Sequence, residues 1–227
     1  MRPYSRYKAS ILILLFSLSS HSLAKDYIVE MVFFADTRGV SSNYVHVSTQ
    51  PVNPDLGDAI LLSSGATSSG FIPYPQETFR LKNKAAALSK SGRYQVLKHI
   101  AWRQPGLAKE EAIAVRIHAG KDYRNEFKER SFAQADFSDR KLSANQPVNE
   151  LDGTIKVVLG RYLHVYTDLA YRRPFNLSAA STENPLGRDR VLADFAIKTH
   201  RKMRSKTLHY IDHPLLGILV EIRPADS

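Results

Sequence analysis

Histidines and carboxylates at short spacing are the first place to look for chemistry in this chain. His164 and Asp168 stand four residues apart, and His209, Asp212 and His213 cluster near the C-terminal end. Imidazole and carboxylate are the ligands of a catalytic zinc, so a metal site can be drawn from these five residues. Their spacing does not support it: there is no HExxH, and Asp212-His213-Pro214 has a turn explanation, since Asp accepts turn N–H groups and Pro fixes φ. Serines are plentiful, but no GxSxG or SxxK motif activates one, and no Gly-rich phosphate loop occurs. Two acids for glycoside cleavage can meet from anywhere in a fold, and nothing singles out a pair. The expectation is therefore no catalytic residue, no metal and no cofactor.

Binding has more support. Arg161, Arg172, Arg173, Arg188, Arg190, Arg201, Lys202, Arg204 and Lys206 concentrate in the C-terminal half, and guanidinium groups suit carboxylates and phosphates through paired hydrogen bonds. Tyr162, Tyr166, Tyr171, Tyr210 and Trp102 add flat surfaces on which sugar rings could stack. The bland alternative is that the aromatics are half-buried strand residues and the cations a solvated face. A formal charge of +10 and a pI near 9.7 favour an anionic partner: nucleic acid, a membrane surface or an acidic polymer.

The element that must position these groups is the stretch from Leu151 to Pro174. Ile155, Val157, Leu159, Leu163, Val165 and Leu169 recur at even separations and share the core face of an extended strand. Lys156, Val158, Tyr162, His164, Tyr166, Asp168 and Ala170 take the other face. A strand of this length exceeds the usual 3 to 10 residues, so Gly160 is expected to bend or bulge it.

Around it, Tyr27 to Ala35 is apolar except for Glu30 and reads as a strand covered on both faces. Asp36 to Pro75 is a long Ser/Gly/Pro/Asn loop with at most short extended pieces such as Tyr44 to Val47. A helix is predicted over about 78–91, capped by Thr78, with Leu81, Ala85 and Leu88 inward and Gly92 ending it. Arg93 to Arg103 and Ala112 to His118 read as strands and antiparallel neighbours. Lys121 to Glu150 is an irregular arm with widely spaced aromatics, and Phe175 to Arg190 is another loop. Ala193 to Arg201, Thr207 to Ile211 and Leu215 to Ile222 follow as strands, the last apolar enough to be inserted in a sheet. The fold class is therefore α+β, mainly antiparallel sheet with one helix and long loops. The first half hints at a ferredoxin-like piece, and the second at a meander that extends that sheet or packs on it. One unit over 25–227 is favoured over two subdomains at about 25–120 and 151–227.

Arg2, Arg6 and Lys8 precede the short apolar run Ile11 to Leu18, and Ser22-Leu23-Ala24 is a small-x-small site. This reads as a cleaved secretory signal peptide over 1–24, the apolar run falling well below the roughly 20 residues that span a bilayer. A periplasmic location without a transmembrane segment follows as the expectation, and nucleic acid drops out as a partner. With no cysteine in the chain, there is no disulfide, thiolate ligand or lipidated cysteine.

The leading YIVEMVFF, YQVLKHIAWRQP at Tyr94 to Pro105, LDGTIKVVLGRYLHVYTDL at Leu151 to Leu169, and RKMRSKTLHYIDHPLLGILVEI at Arg201 to Ile222 together resemble the CsiV family of gammaproteobacterial peptidoglycan-binding proteins. The resemblance implies a periplasmic, non-enzymatic wall-binding protein. It would support a class A penicillin-binding protein through that synthase's outer-membrane lipoprotein activator. It carries over no binding residues. From the residues themselves, Arg161, Tyr162, His164 and Tyr166, with Arg201, Arg204 and His209 nearby, are expected to form the peptidoglycan-binding surface, because the wall exposes peptide carboxylates on an uncharged glycan. Two rivals stay open: a hydrolase of the wall or another envelope polymer, and a pure protein-interaction module of the synthesis machinery.

Overall fold

The computed structural model describes residues 25–38, 51–62, 69–128, 147–176 and 190–226. The expected signal peptide, the extended piece Tyr44 to Val47, Phe132 and Phe137 of the charged arm, and most of the loop from Phe175 to Arg190 lie outside them.

Among the described residues, nine strands and one α-helix alternate little enough that the chain builds two antiparallel sheets. One sheet has the order β2 (Ile72–Pro73), β3 (Tyr94–Pro105), β1 (Asp26–Asp36), β9 (Leu216–Pro224), β8 (Leu208–Asp212). The other runs β4 (Ala114–Asp122), β5 (Asn149–Leu159), β6 (Leu163–Asn176), β7 (Arg190–Met203). Both contribute to one apolar core: Val29, Met31, Phe33 and Trp102 from the first sheet meet Val115, Ile155, Val165 and Ile197 from the second. This is a two-layer sandwich with helix α1 (Lys82–Lys90) on its outer side, within the α+β and mainly β reading of the sequence. No helix of the described residues is long and apolar enough to cross a membrane.

β1 holds the centre of its sheet between β3 and β9, and Ile28 to Ala35 are buried, as its unbroken apolar character requires. Glu30, the exception, is fully buried on the face that receives helix α1 (Lys82–Lys90). Its carboxylate accepts the backbone N–H groups of Arg80 and Leu81 and is met by His99 Nε2 at 2.9 Å and Arg223 Nη1 at 3.3 Å. An acid that reads as a flaw in a strand is thus the anchor of the segment entering the helix. Burial works against its ionisation, but the His99 bond and the two amides outweigh it and hold Glu30 below the usual carboxylate range.

Several expectations need correction. Leu151 to Pro174 is two strands, β5 and β6, and Gly160 belongs to the reversal between them, with its N–H bonded to the Tyr162 carbonyl. The faces nevertheless fall as expected. Leu159 pairs with Leu163, Val157 with Val165 and Ile155 with Thr167, so odd-numbered residues stay opposite odd-numbered ones through the turn. β3 and β4 are not neighbours; the chain leaves one sheet at Pro105 and enters the other at Ala114, so no ferredoxin-like unit forms. The second half packs on the first sheet and then returns to it through β8 and β9. Thr78 does not cap α1; its hydroxyl bonds the Pro75 carbonyl within a short 3-10 turn, and Leu81 occupies the capping position. Leu81, Ala85 and Leu88 do face Val32 and Phe34, and Gly92, at φ 68°, follows the helix end.

Candidate functional site

The face of the four-stranded sheet that points away from the core is set by two registers. Even-numbered residues of β5 and β6 oppose each other, and β7 continues the pattern, Tyr166 facing His200 and His164 facing Lys202. One end of this outer face is covered and the other is open.

At the covered end, residues 51–60 lie across the sheet. Arg172 on β6 is almost fully buried and pairs with buried Asp194 on β7, Nε to Oδ2 at 3.3 Å. Asp194 Oδ2 also accepts the Val52 N–H at 2.9 Å, and Arg172 reaches the carbonyls of Asn149 and Val52. Further along, Asp168 Oδ2 accepts the Asp55 N–H, and Ile60 forms a parallel bridge to Val115 at the β4 edge. Part of the long loop read from the sequence is therefore a strap fixed by a buried ion pair.

At the open end the side chains form a row. Tyr162, in the β5–β6 turn and 40% exposed, has Lys202 Nζ 3.5 Å from its ring centre and the Arg161 guanidinium at 5.8 Å. His164 Nδ1 lies 2.8 Å from His200 Nε2, and their rings stack at 5.0 Å. The Tyr166 and His200 rings are almost parallel, 4° apart in plane and 4.3 Å between centres. These are same-face cross-strand and diagonal pairs, whose spacing on a pleated sheet lets flat side chains stack. Cations resting on an aromatic face keep their charge while their stems are ordered by the ring.

Of the residues expected from sequence, Arg161, Tyr162, His164 and Tyr166 come together on this face. Arg201, Arg204 and His209 do not join them. Arg201 pairs with Val165, on the opposite face to His164, at the exposed rim of the core side. The Arg204 N–H donates to His209 Nε2 at 3.2 Å, and burial together with the nearby charge of Arg201 pushes the His209 imidazole pKa down. They form a second basic group at the β7–β8 corner. The residues that complete the row are His200 and Lys202. Even spacing in Ala193 to Arg201 places His200 on one face of its strand, but only the β6–β7 register sets it beside His164 and Tyr166.

The row runs into a cavity of about 760 Å³ at the junction of the strap, residues 109–114 and the outer face, with Thr154, Lys156, Tyr166 and Asp168 along its sheet side. His164, His209 and His213 do not line it. Among the described residues no group of three or more His, Asp or Glu is placed to hold a metal ion.

A family model described as "Peptidoglycan-binding protein, CsiV" matches residues 7–225. No curated protein and no solved structure matches the chain.

Proposed function

Because this chain belongs to the CsiV family of peptidoglycan-binding proteins, we propose that the open end of its outer sheet face is the wall-binding surface, and that it binds the polymer without cutting it. The observation that carries this reading is the row Tyr162, Lys202, His164, His200 and Tyr166, in which a lysine ammonium rests on one ring and three further rings stack across β6 and β7. Sugar rings present apolar faces that stack on such rings, and peptide carboxylates are drawn to the cations beside them. Each contact is weak, but a repeating polymer offers many copies, and rebinding at neighbouring units multiplies a modest affinity.

The location we infer is the periplasm, reached by way of the signal-like segment at residues 1–24. In that compartment the role suggested by the family resemblance is support of a class A penicillin-binding protein through its outer-membrane lipoprotein activator. The basic corner at Arg201, Arg204 and His209, where Arg201 lies on the other face of β7 from the row, is free in this reading to serve that protein contact while the wall is held.

Co-sedimentation with purified sacculi, followed by analysis of the soluble products, tests the reading. The mature chain should pellet with sacculi in a salt-sensitive manner and release no muropeptides. Failure to pellet would overturn wall binding, and muropeptide release would favour the hydrolase. Retention of the lipoprotein activator by the immobilised chain without sacculi tests the protein contact separately.

A further inference from the structure

The cavity that adjoins the row has the opposite electrostatic character to the rest of this basic chain. Its lining carries the carboxylates of Asp55, Asp58, Glu110, Glu111 and Asp168 against the two lysines Lys109 and Lys156. It is not a remote pocket, since Tyr166 both lines it and stacks on His200. A polymer lying on the row would therefore present its side branches to the cavity. Asp168 is the member built into the sheet. Its Oδ2 is engaged by the Asp55 N–H, whereas its Oδ1 is buried without a hydrogen-bond partner among the described residues. Lys198 Nζ, from the facing position on β7, forms an ion pair with that oxygen at 3.4 Å without hydrogen-bond geometry, its side chain 64% and that of Asp168 23% exposed. A loosely held lysine ammonium at this carboxylate shows that the position accepts an ammonium, and an exposed lysine stem can give way to a ligand amine.

Resting on the wall-binding reading above, we propose that this cavity takes the amine-bearing peptide branch of the wall polymer, with its ammonium group against Asp168 and its carboxylates toward Lys156 and the row. An ammonium group has three donors and no acceptor, which suits a pocket richer in carboxylates than in lysines. The mixed signs fit a zwitterionic branch better than a bare glycan or a simple anion. The row then supplies general affinity for the polymer, and the cavity distinguishes branches with a free amine from those without one.

The sign of the charge effect separates this from non-specific electrostatics. Neutralising acids on a protein that binds an anionic polymer by net charge strengthens binding; neutralising acids that hold an ammonium weakens it. The test is sedimentation of the mature chain with three preparations: native sacculi, sacculi whose free amines have been acetylated, and glycan strands stripped of peptide. Acetylation should weaken wild-type binding about tenfold, the effect of losing one charge-assisted contact, and stripped glycan should bind no better than acetylated sacculi. Asp168→Asn should weaken binding to native sacculi by a similar factor and abolish the sensitivity to acetylation. The exposed pair Asp58→Asn with Glu111→Gln, far less able to disturb folding, should act in the same direction. Equal wild-type binding to native and acetylated sacculi, or tighter binding by the neutralised variants, overturns the amine pocket while leaving wall binding in place. Absence of binding to all three preparations overturns both.

Discussion

His164 Nδ1 and His200 Nε2 lie 2.8 Å apart across the β6–β7 pair, on the outer face of the sheet and 36 residues apart in the chain. One ring must donate and the other accept, so the contact requires at least one neutral imidazole. It fixes the ring planes of two side chains that would otherwise rotate freely in solvent. His200 is in turn held parallel to Tyr166, so one hydrogen bond orients a three-ring platform.

Removing the middle of that platform should weaken wall binding without weakening the fold. His200→Ala takes away an exposed ring that stacks on both neighbours, and the expected result is a loss of sacculus affinity of about three- to tenfold with a change in stability within about 0.5 kcal/mol. Sedimentation isotherms and urea denaturation check the two halves. Unchanged affinity would place the wall elsewhere on the molecule.

The two basic groups make different predictions because Arg201 and Lys202 project from opposite faces of β7. Arg161→Glu with Lys202→Glu reverses the charge beside Tyr162 and should reduce sedimentation with sacculi and flatten its salt dependence. Arg201→Glu with Arg204→Glu should leave sacculus binding closer to wild type, because the β6–β7 register carries Arg201 to the other face. The reverse ranking would move the wall-binding surface to the β7–β8 corner.

Glu30 makes stability depend on pH in the acid range. Its folded pKa is held below the ordinary carboxylate value, so its contribution is fully present above the unfolded pKa, near 4.3, and is lost as pH falls through the folded value. Glu30→Gln leaves Arg223 buried beside an uncharged group and should cost about 3 kcal/mol at neutral pH. The difference between wild type and variant should shrink on acidification. Denaturation curves measured from neutral pH down to below 4 give the comparison, and a difference that grows toward acid would refute the assignment.

The strap over the outer face depends on Asp194. Replacing it by alanine takes the carboxylate from beside the buried Arg172 guanidinium and the acceptor from the Val52 N–H, so Asp194→Ala should cost about 3 kcal/mol. It should also raise hydrogen exchange in residues 51–60 more than in β1. Equal exchange in both would mean that the strap is held by something other than this pair.

The sequence by itself settled the strand content, the central place of β1 and β9, the core face of β5 and β6, and the family. Those features follow from local alternation and from unbroken apolar runs, which one stretch of chain expresses without reference to any other. The same local signal hid the reversal at Gly160, because a turn that keeps odd residues opposite odd ones leaves the alternation intact. It also joined β3 to β4, since adjacency in the chain does not tell which of two layers a strand enters. What tertiary structure alone decided was company. The register set His200 and Lys202 beside Tyr162, His164 and Tyr166, carried Arg201 away from them, and folded residues 51–60 over the sheet to make an acidic cavity in a basic protein. Side-chain neighbours across strands depend on pairing between segments tens of residues apart, and composition and spacing hold no record of that pairing.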